Sequence, residues 1–149
     1  MTLPSVAPLL DLVSLSGGQP PRIHRRNLST CIEPARAARR FVREALDAYP
    51  CVDDVALVAG ELVANAAEHT PGADRLVLEV YGETLAVLTV CDRGVDPRAV
   101  AARTADPQDT DGRGLLLVSA LAAGWFAQPV SGGGTGVSAV FDLSARAAG

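Results

Sequence analysis

Apolar residues recur at helical spacing from Cys51 to Thr70, CVDDVALVAGELVANAAEHT, more regularly than elsewhere in the chain. At about 100° per residue, Val52, Val55, Ala59, Leu62, Val63 and Ala66 share one side, whereas Asp54, Glu61, Asn65 and Glu68 fall within about a 60° arc opposite them. One side is built to pack, and the other carries polar groups that packing does not require. Glu61 and Asn65 are one turn apart, so a carboxylate and a carboxamide project toward the same volume, with His69 one turn further on. An ordinary solvated helix face has the same pattern, so the helix alone does not choose between surface and site.

Upstream, Pro34 suits the first position of another helix, where its missing N–H costs nothing, and Glu33 favours the positive end of the dipole. That helix is expected from about Ala35 to Ala48, with Ala38, Phe41, Val42 and Ala45 as its packing stripe. Arg36, Arg39, Arg40 and Arg43 cluster on its other side, as a solvated face or as a docking surface for an acidic partner. Pro50 breaks the first helix, and Thr70-Pro71-Gly72 ends the second. RLVLEVYG and TLAVLTVCD then alternate around Gly82-Glu83, which predicts an antiparallel hairpin. A weaker strand is permitted over Arg22 to Thr30. Beyond a polar connection at residues 98–111, Leu115 to Ala123 reads as a buried helix stopped by Gly124. Strands follow at Trp125 to Val130 and Val137 to Leu143.

With 149 residues and 48% hydrophobic content, the chain can build one compact domain with a sizeable core. The expected organisation is a flexible arm over residues 1–21, which hold four prolines and Gly17-Gly18, a domain over 22–145, and a frayed tail over 146–149. Residues 1–50 hold seven Arg against four acids, and the remainder six Arg against thirteen, giving a net charge of −4. The chain has no Lys, so any cationic contact to phosphate or carboxylate must come from Arg. An acidic chain with 4% aromatic residues lacks the basic surface and stacking platforms of a nucleic-acid binder. Cys31, Cys51 and Cys91 are too few and too scattered for a disulfide framework or a zinc site, and read as reduced, mostly buried thiols. The first residues lack the basic start of a signal peptide, and no uninterrupted apolar run is long enough to span a membrane. A cytoplasmic protein is expected.

Two further features carry candidate chemistry. The second hairpin strand runs into Asp92-Arg93-Gly94, which is either turn chemistry or a strand-end carboxylate facing a site. Gly112-Arg113-Gly114 opens the next helix with free N–H groups and no Cβ on either glycine, as in a phosphate-binding turn or in a close packing turn.

In order and spacing, ELVANAAEH, CDRG, GRGLLLV and the segment Thr135 to Leu143 resemble the N box, the first Gly box, the second Gly box and the closing strand of the ATP-binding domain shared by gyrase, its heat-shock chaperone relative and sensor histidine kinases. The resemblance covers roughly Leu28 to Leu143. Within that superfamily, PARAARRFVREAL and GRGLLLVSALAAGW look most like anti-sigma factor serine kinases of high-GC actinobacteria. The resemblance implies an α+β fold: a two-layer sandwich of a mixed, mainly antiparallel sheet covered on one face by about three helices. It implies ATP and Mg²⁺ as ligands, a sigma factor and an anti-sigma factor antagonist as protein partners, and a possible homodimer. By the same resemblance Glu61 is the general base, and Asn65 holds Mg²⁺ through its carbonyl oxygen. Asp92 accepts from the adenine amino group beside Gly94, while Gly112, Arg113, Gly114 and Leu115 close on the phosphates. His69 and Thr135 line the pocket. The closing-strand hydroxyl is either Thr135 or Ser138, because the Gly-rich turn before it aligns in two ways. Where the family has a second glycine shortly after the first, this chain has Val95-Asp96-Pro97 after Gly94, and residues 98–111, either a short helix with a loop or the lid over the site, are few and lack Lys.

Overall fold

The computed structural model describes residues 19–92, 113–129 and 134–144. The chain runs β1 (Arg22–Asn27), α1 (Pro34–Ala45), α2 (Val52–His69), β2 (Ala73–Tyr81), β3 (Leu85–Asp92), α3 (Arg113–Leu121), β4 (Gly124–Pro129) and β5 (Thr135–Asp142). The strands form one sheet in the order β1-β2-β3-β5-β4. The expected two-layer α+β architecture is present, and the sheet, expected to be mixed and mainly antiparallel, is antiparallel at every described pairing.

Alternation along the strands decides which face is the core. Leu76, Leu78 and Val80 of β2, Ala86, Leu88 and Val90 of β3, and Val137, Ala139 and Phe141 of β5 turn toward the helices. They share a single buried core with Ala38 and Val42 of α1, Val55, Ala59, Leu62 and Val63 of α2, and Val118 of α3. Each fully buried Leu or Val contributes about 1.5–3 kcal/mol to folding, so the period-2 and period-3.6 patterns converge on one layer interface. On the opposite face Thr89 and Ser138 share a hydrogen bond of 2.7 Å, and Tyr81 packs with Val87.

The local stops are chemical. Pro34 opens α1, and Leu46 closes it by donating its N–H to the Val42 carbonyl. Asp53 and Asp54 occupy the first turn of α2, at the positive end of its dipole. At the other end the Thr70 hydroxyl donates to the Ala66 carbonyl at 2.6 Å and accepts the Gly72 N–H at 2.9 Å, with Gly72 at φ 119°. The hairpin turns at Gly82, φ 59°, as the sequence predicts.

Two expectations change. The run expected to form a buried helix is only half covered: in α3, which packs chiefly against α2, Val118 is buried, but Leu116 is 43% exposed. Arg39 does not join the solvated side of α1. Its side chain lies across α2 at Gly60, where a Cβ would sit 2.7 Å from the guanidinium and 3.1 Å from Cγ.

Residues 1–18 of the expected arm lie outside the described residues, as do 93–112, 130–133 and 145–149. Among the described residues no helix is long and apolar enough to cross a membrane. Cys51 and Cys91 are buried and Cys31 half-buried, all as free thiols. Burial pushes the Cys51 and Cys91 thiols up, which keeps them protonated and unreactive.

Candidate functional site

The second half of α2, the end of β3 and the start of β5 meet at one edge of the core. Leu62, Asn65, Ala66 and Thr70 line one wall of a narrow recess there, and Val90, Asp92 and Val137 line the other. The placement follows from period. Asp92 continues the helix-facing series Ala86, Leu88, Val90 to the strand end, so a carboxylate stands where the pattern would otherwise place a core residue. It is buried, with 6% of its surface exposed. Asn65 reaches the same recess because it lies three residues after Leu62, on the flank of α2 that turns toward the sheet.

Thr135 is the first residue of β5 and continues the helix-facing series Val137, Ala139, Phe141. The β3–β5 register pairs Cys91 with Gly136, and one further step sets Thr135 across from Asp92. Its Oγ1 is fully buried and has no hydrogen-bond partner among the described residues. A buried hydroxyl in that condition has lost its water without replacement, so a ligand that supplies a polar atom there would be favoured. Ser138 lies on the other face, bonded to Thr89. Strand parity therefore separates the two alternatives that the sequence leaves open: Thr135 faces the side of the recess, and Ser138 does not.

Glu61 sits one turn before Asn65, half-buried, and is not among the residues lining the recess. Neither the Glu61 nor the Asn65 side chain shares a hydrogen bond or ion pair with another described side chain. The structure thus brings Asn65 and Asp92 to one recess, with Thr135 beside Asp92 and Glu61 one turn away along α2. Gly94 and Gly112 lie outside the described residues. Arg113, Gly114 and Leu115 form the first turn of α3, whose packing against α2 brings that helix to the same side, but their side chains, like that of His69, lie outside the description.

Sequence reasoning missed two residues. In the sequence Thr70 reads only as part of the helix stop, yet it lines the recess while its hydroxyl closes α2. Gly60 was not singled out, although it seats Arg39 immediately before Glu61. A glycine inside an otherwise strong helix, where it costs about 1 kcal/mol relative to Ala, was the available signal.

The donor set suits a nucleotide and a hard cation. Asn65 offers a carboxamide oxygen, a ligand type that Mg²⁺ accepts together with phosphate and water oxygens. Among the described residues no group of three or more His, Cys, Asp or Glu could hold a metal by itself. A buried carboxylate beside a buried hydroxyl can accept from an exocyclic amine and bond a ring nitrogen.

The chain matches the histidine kinase-like ATPase domain over residues 29–141. No curated protein matches it.

Proposed function

The chain belongs to the histidine kinase-like ATPase family and so carries an ATP-binding domain; on that premise we propose that it is a cytoplasmic regulator of transcription, an anti-sigma factor that phosphorylates a serine on an antagonist protein. The observation that carries the reading is the shared recess of Asn65 and Asp92, with the buried Thr135 hydroxyl beside Asp92. Asp92 and Thr135 would orient the adenine, and Asn65 would hold Mg²⁺. Held there, the ion would supply charge neutralisation at the phosphate oxygens. Glu61 takes the proton of the attacking serine hydroxyl as its oxygen bonds the terminal phosphorus and the bond to ADP breaks. Its position one turn from Asn65 and its freedom from described partners support this role.

The test is transfer from labelled ATP, with Mg²⁺, to candidate antagonist proteins. Glu61→Ala is expected to reduce transfer by about 10²-fold or more, the usual contribution of a general base, while ATP affinity stays within about threefold. Equal transfer by wild type and variant would remove the role assigned to Glu61. A second reading, a non-catalytic interaction module of the same fold, is favoured by Val95-Asp96-Pro97 following Gly94 where the family has a further glycine. Retained ATP binding with no transfer to any antagonist would select it.

A further inference from the structure

The structure carries an interaction surface apart from the recess. A groove between the β1–α1 loop and the outer face of α1 is lined by Arg26, Ile32, Arg36, Arg40 and Phe41, among others. At its mouth Ile32 is 98% exposed. A lone exposed isoleucine is ordinarily unremarkable, but this one is held in place. Leu28 is buried and donates its N–H to the Asp74 carbonyl at 2.9 Å, and the Cys31 N–H returns to the Leu28 carbonyl at 3.1 Å. The Asn27 side chain accepts from the Ser29 N–H at 2.8 Å and from its hydroxyl at 2.7 Å. Pro34 then fixes the helix start two residues beyond Ile32. The loop presents a large apolar side chain to water on an ordered turn, and such preorganisation lowers the ordering cost of an anchor residue.

The charges around Ile32 say what covers it. The groove holds five arginines against three carboxylates, in a chain whose net charge is −4. Three of the arginines are paired, Arg36 with Glu33 at 3.4 Å, Arg40 with Glu44 at 3.5 Å and Arg43 with Asp53, all six side chains well exposed. Exposed pairs of this kind exchange readily for a better-placed carboxylate. A second copy is a poor occupant, since an isologous contact would set this arginine-rich face against itself. A polyanion such as nucleic acid would meet Glu33, Glu44 and Asp47 interleaved with the arginines. We propose that Ile32 and the flanking Arg26, Arg36 and Arg40 form a docking surface for an acidic protein segment that offers an apolar contact to Ile32 between its carboxylates. The surface is separate from the recess, so it binds whether or not the chain transfers phosphate.

The probe is a fluorescently labelled peptide of alternating Glu and Leu residues, titrated with the full chain by anisotropy, with a Lys/Leu peptide, single-stranded RNA and anionic vesicles in parallel. The Glu/Leu peptide is expected to bind and to weaken as ionic strength rises. Ile32→Ser and the Arg36→Glu/Arg40→Glu pair are each expected to lose about tenfold or more in affinity, with thermal melts and ATP binding unchanged. No binding of the Glu/Leu peptide would overturn the proposal, as would equal binding by Ile32→Ser or preferred binding of RNA or vesicles through the same residues. A wild-type dimer that Ile32→Ser converts to monomer in sedimentation would assign the surface to a second copy instead. Because ATP affinity is measured on the same samples, a chain that binds peptide but not ATP would refute the kinase reading and leave this one standing.

Discussion

Gly60 gives the account its sharpest energetic test. It lies inside α2, one residue before Glu61, and a Cβ built there would sit 2.7 Å from an Arg39 guanidinium nitrogen, 3.1 Å from Cγ and 3.2 Å from Cδ. Two effects oppose each other in Gly60→Ala. Replacing a helix-interior glycine by alanine gains about 0.8–1.0 kcal/mol of helix propensity. Against that, the guanidinium must swing away and the arginine stem must shift by a few tenths of an ångström, and overpacking in a close-packed interface costs about 1–3 kcal/mol. The guanidinium is the flexible end, so the cost falls in the lower half of that range, and the net change is a loss of about 0–1 kcal/mol. In Arg39→Ala the close atoms are gone, and the same substitution should stabilise by about 0.8–1.0 kcal/mol. The coupling between the sites is therefore about 1–2 kcal/mol. Urea unfolding of the wild type, both single variants and the double variant measures it. A coupling below about 0.5 kcal/mol, the ordinary additivity error, would refute the claim that the glycine is there to seat Arg39 and hold α1 against α2 beside Glu61.

Two further outcomes follow from buried groups. Thr135→Val removes a buried hydroxyl that has no described partner, so without ligand the chain should be unchanged or up to about 1 kcal/mol more stable, while ATP affinity falls about fivefold or more; Ser138→Ala should leave affinity unchanged. Tyr81 is pushed up to about 12, first by burial and then by its hydrogen bond to Glu79. Its folded state holds the proton more tightly than the unfolded chain, so the associated stability is complete below the ordinary tyrosine value of 10.0 and is lost as pH rises from there toward about 12. Tyrosinate absorbance in native and denaturing buffer should show this late titration, and Tyr81→Phe should remove it from the native curve.

Local pattern explains what was legible. The α2 boundaries, the hairpin and the β4 and β5 strands follow from short-range periodicity and from turn residues such as Gly82 and Gly72, whose positive φ only glycine adopts easily. Asp92 reads in the sequence as a strand-end carboxylate that turn chemistry explains equally well, and only the family resemblance gives it a role. Sequence failed where the deciding partner is distant along the chain. Arg39 looked solvated because helical spacing grouped it with Arg36, Arg40 and Arg43, and only the α1–α2 crossing reveals the notch at Gly60. Thr135 and Ser138 were interchangeable until the β3–β5 register assigned their faces. Leu116 was read as buried because an apolar run carries no record of how many sides of a helix will be covered. Ile32 attracted no attention because exposure is a property of the folded loop.

Calorimetric titration of wild type and Asp92→Asn with Mg-ATP decides whether Asn65, Asp92 and Thr135 form a nucleotide site. Saturable binding by the wild type is expected at or below millimolar ATP. Asp92→Asn should weaken it by about 10- to 150-fold, the equivalent of a charge-assisted hydrogen bond of about 1.5–3 kcal/mol. Absence of heat and of any thermal shift with wild type at millimolar ATP, or equal affinity in the two proteins, would contradict that assignment.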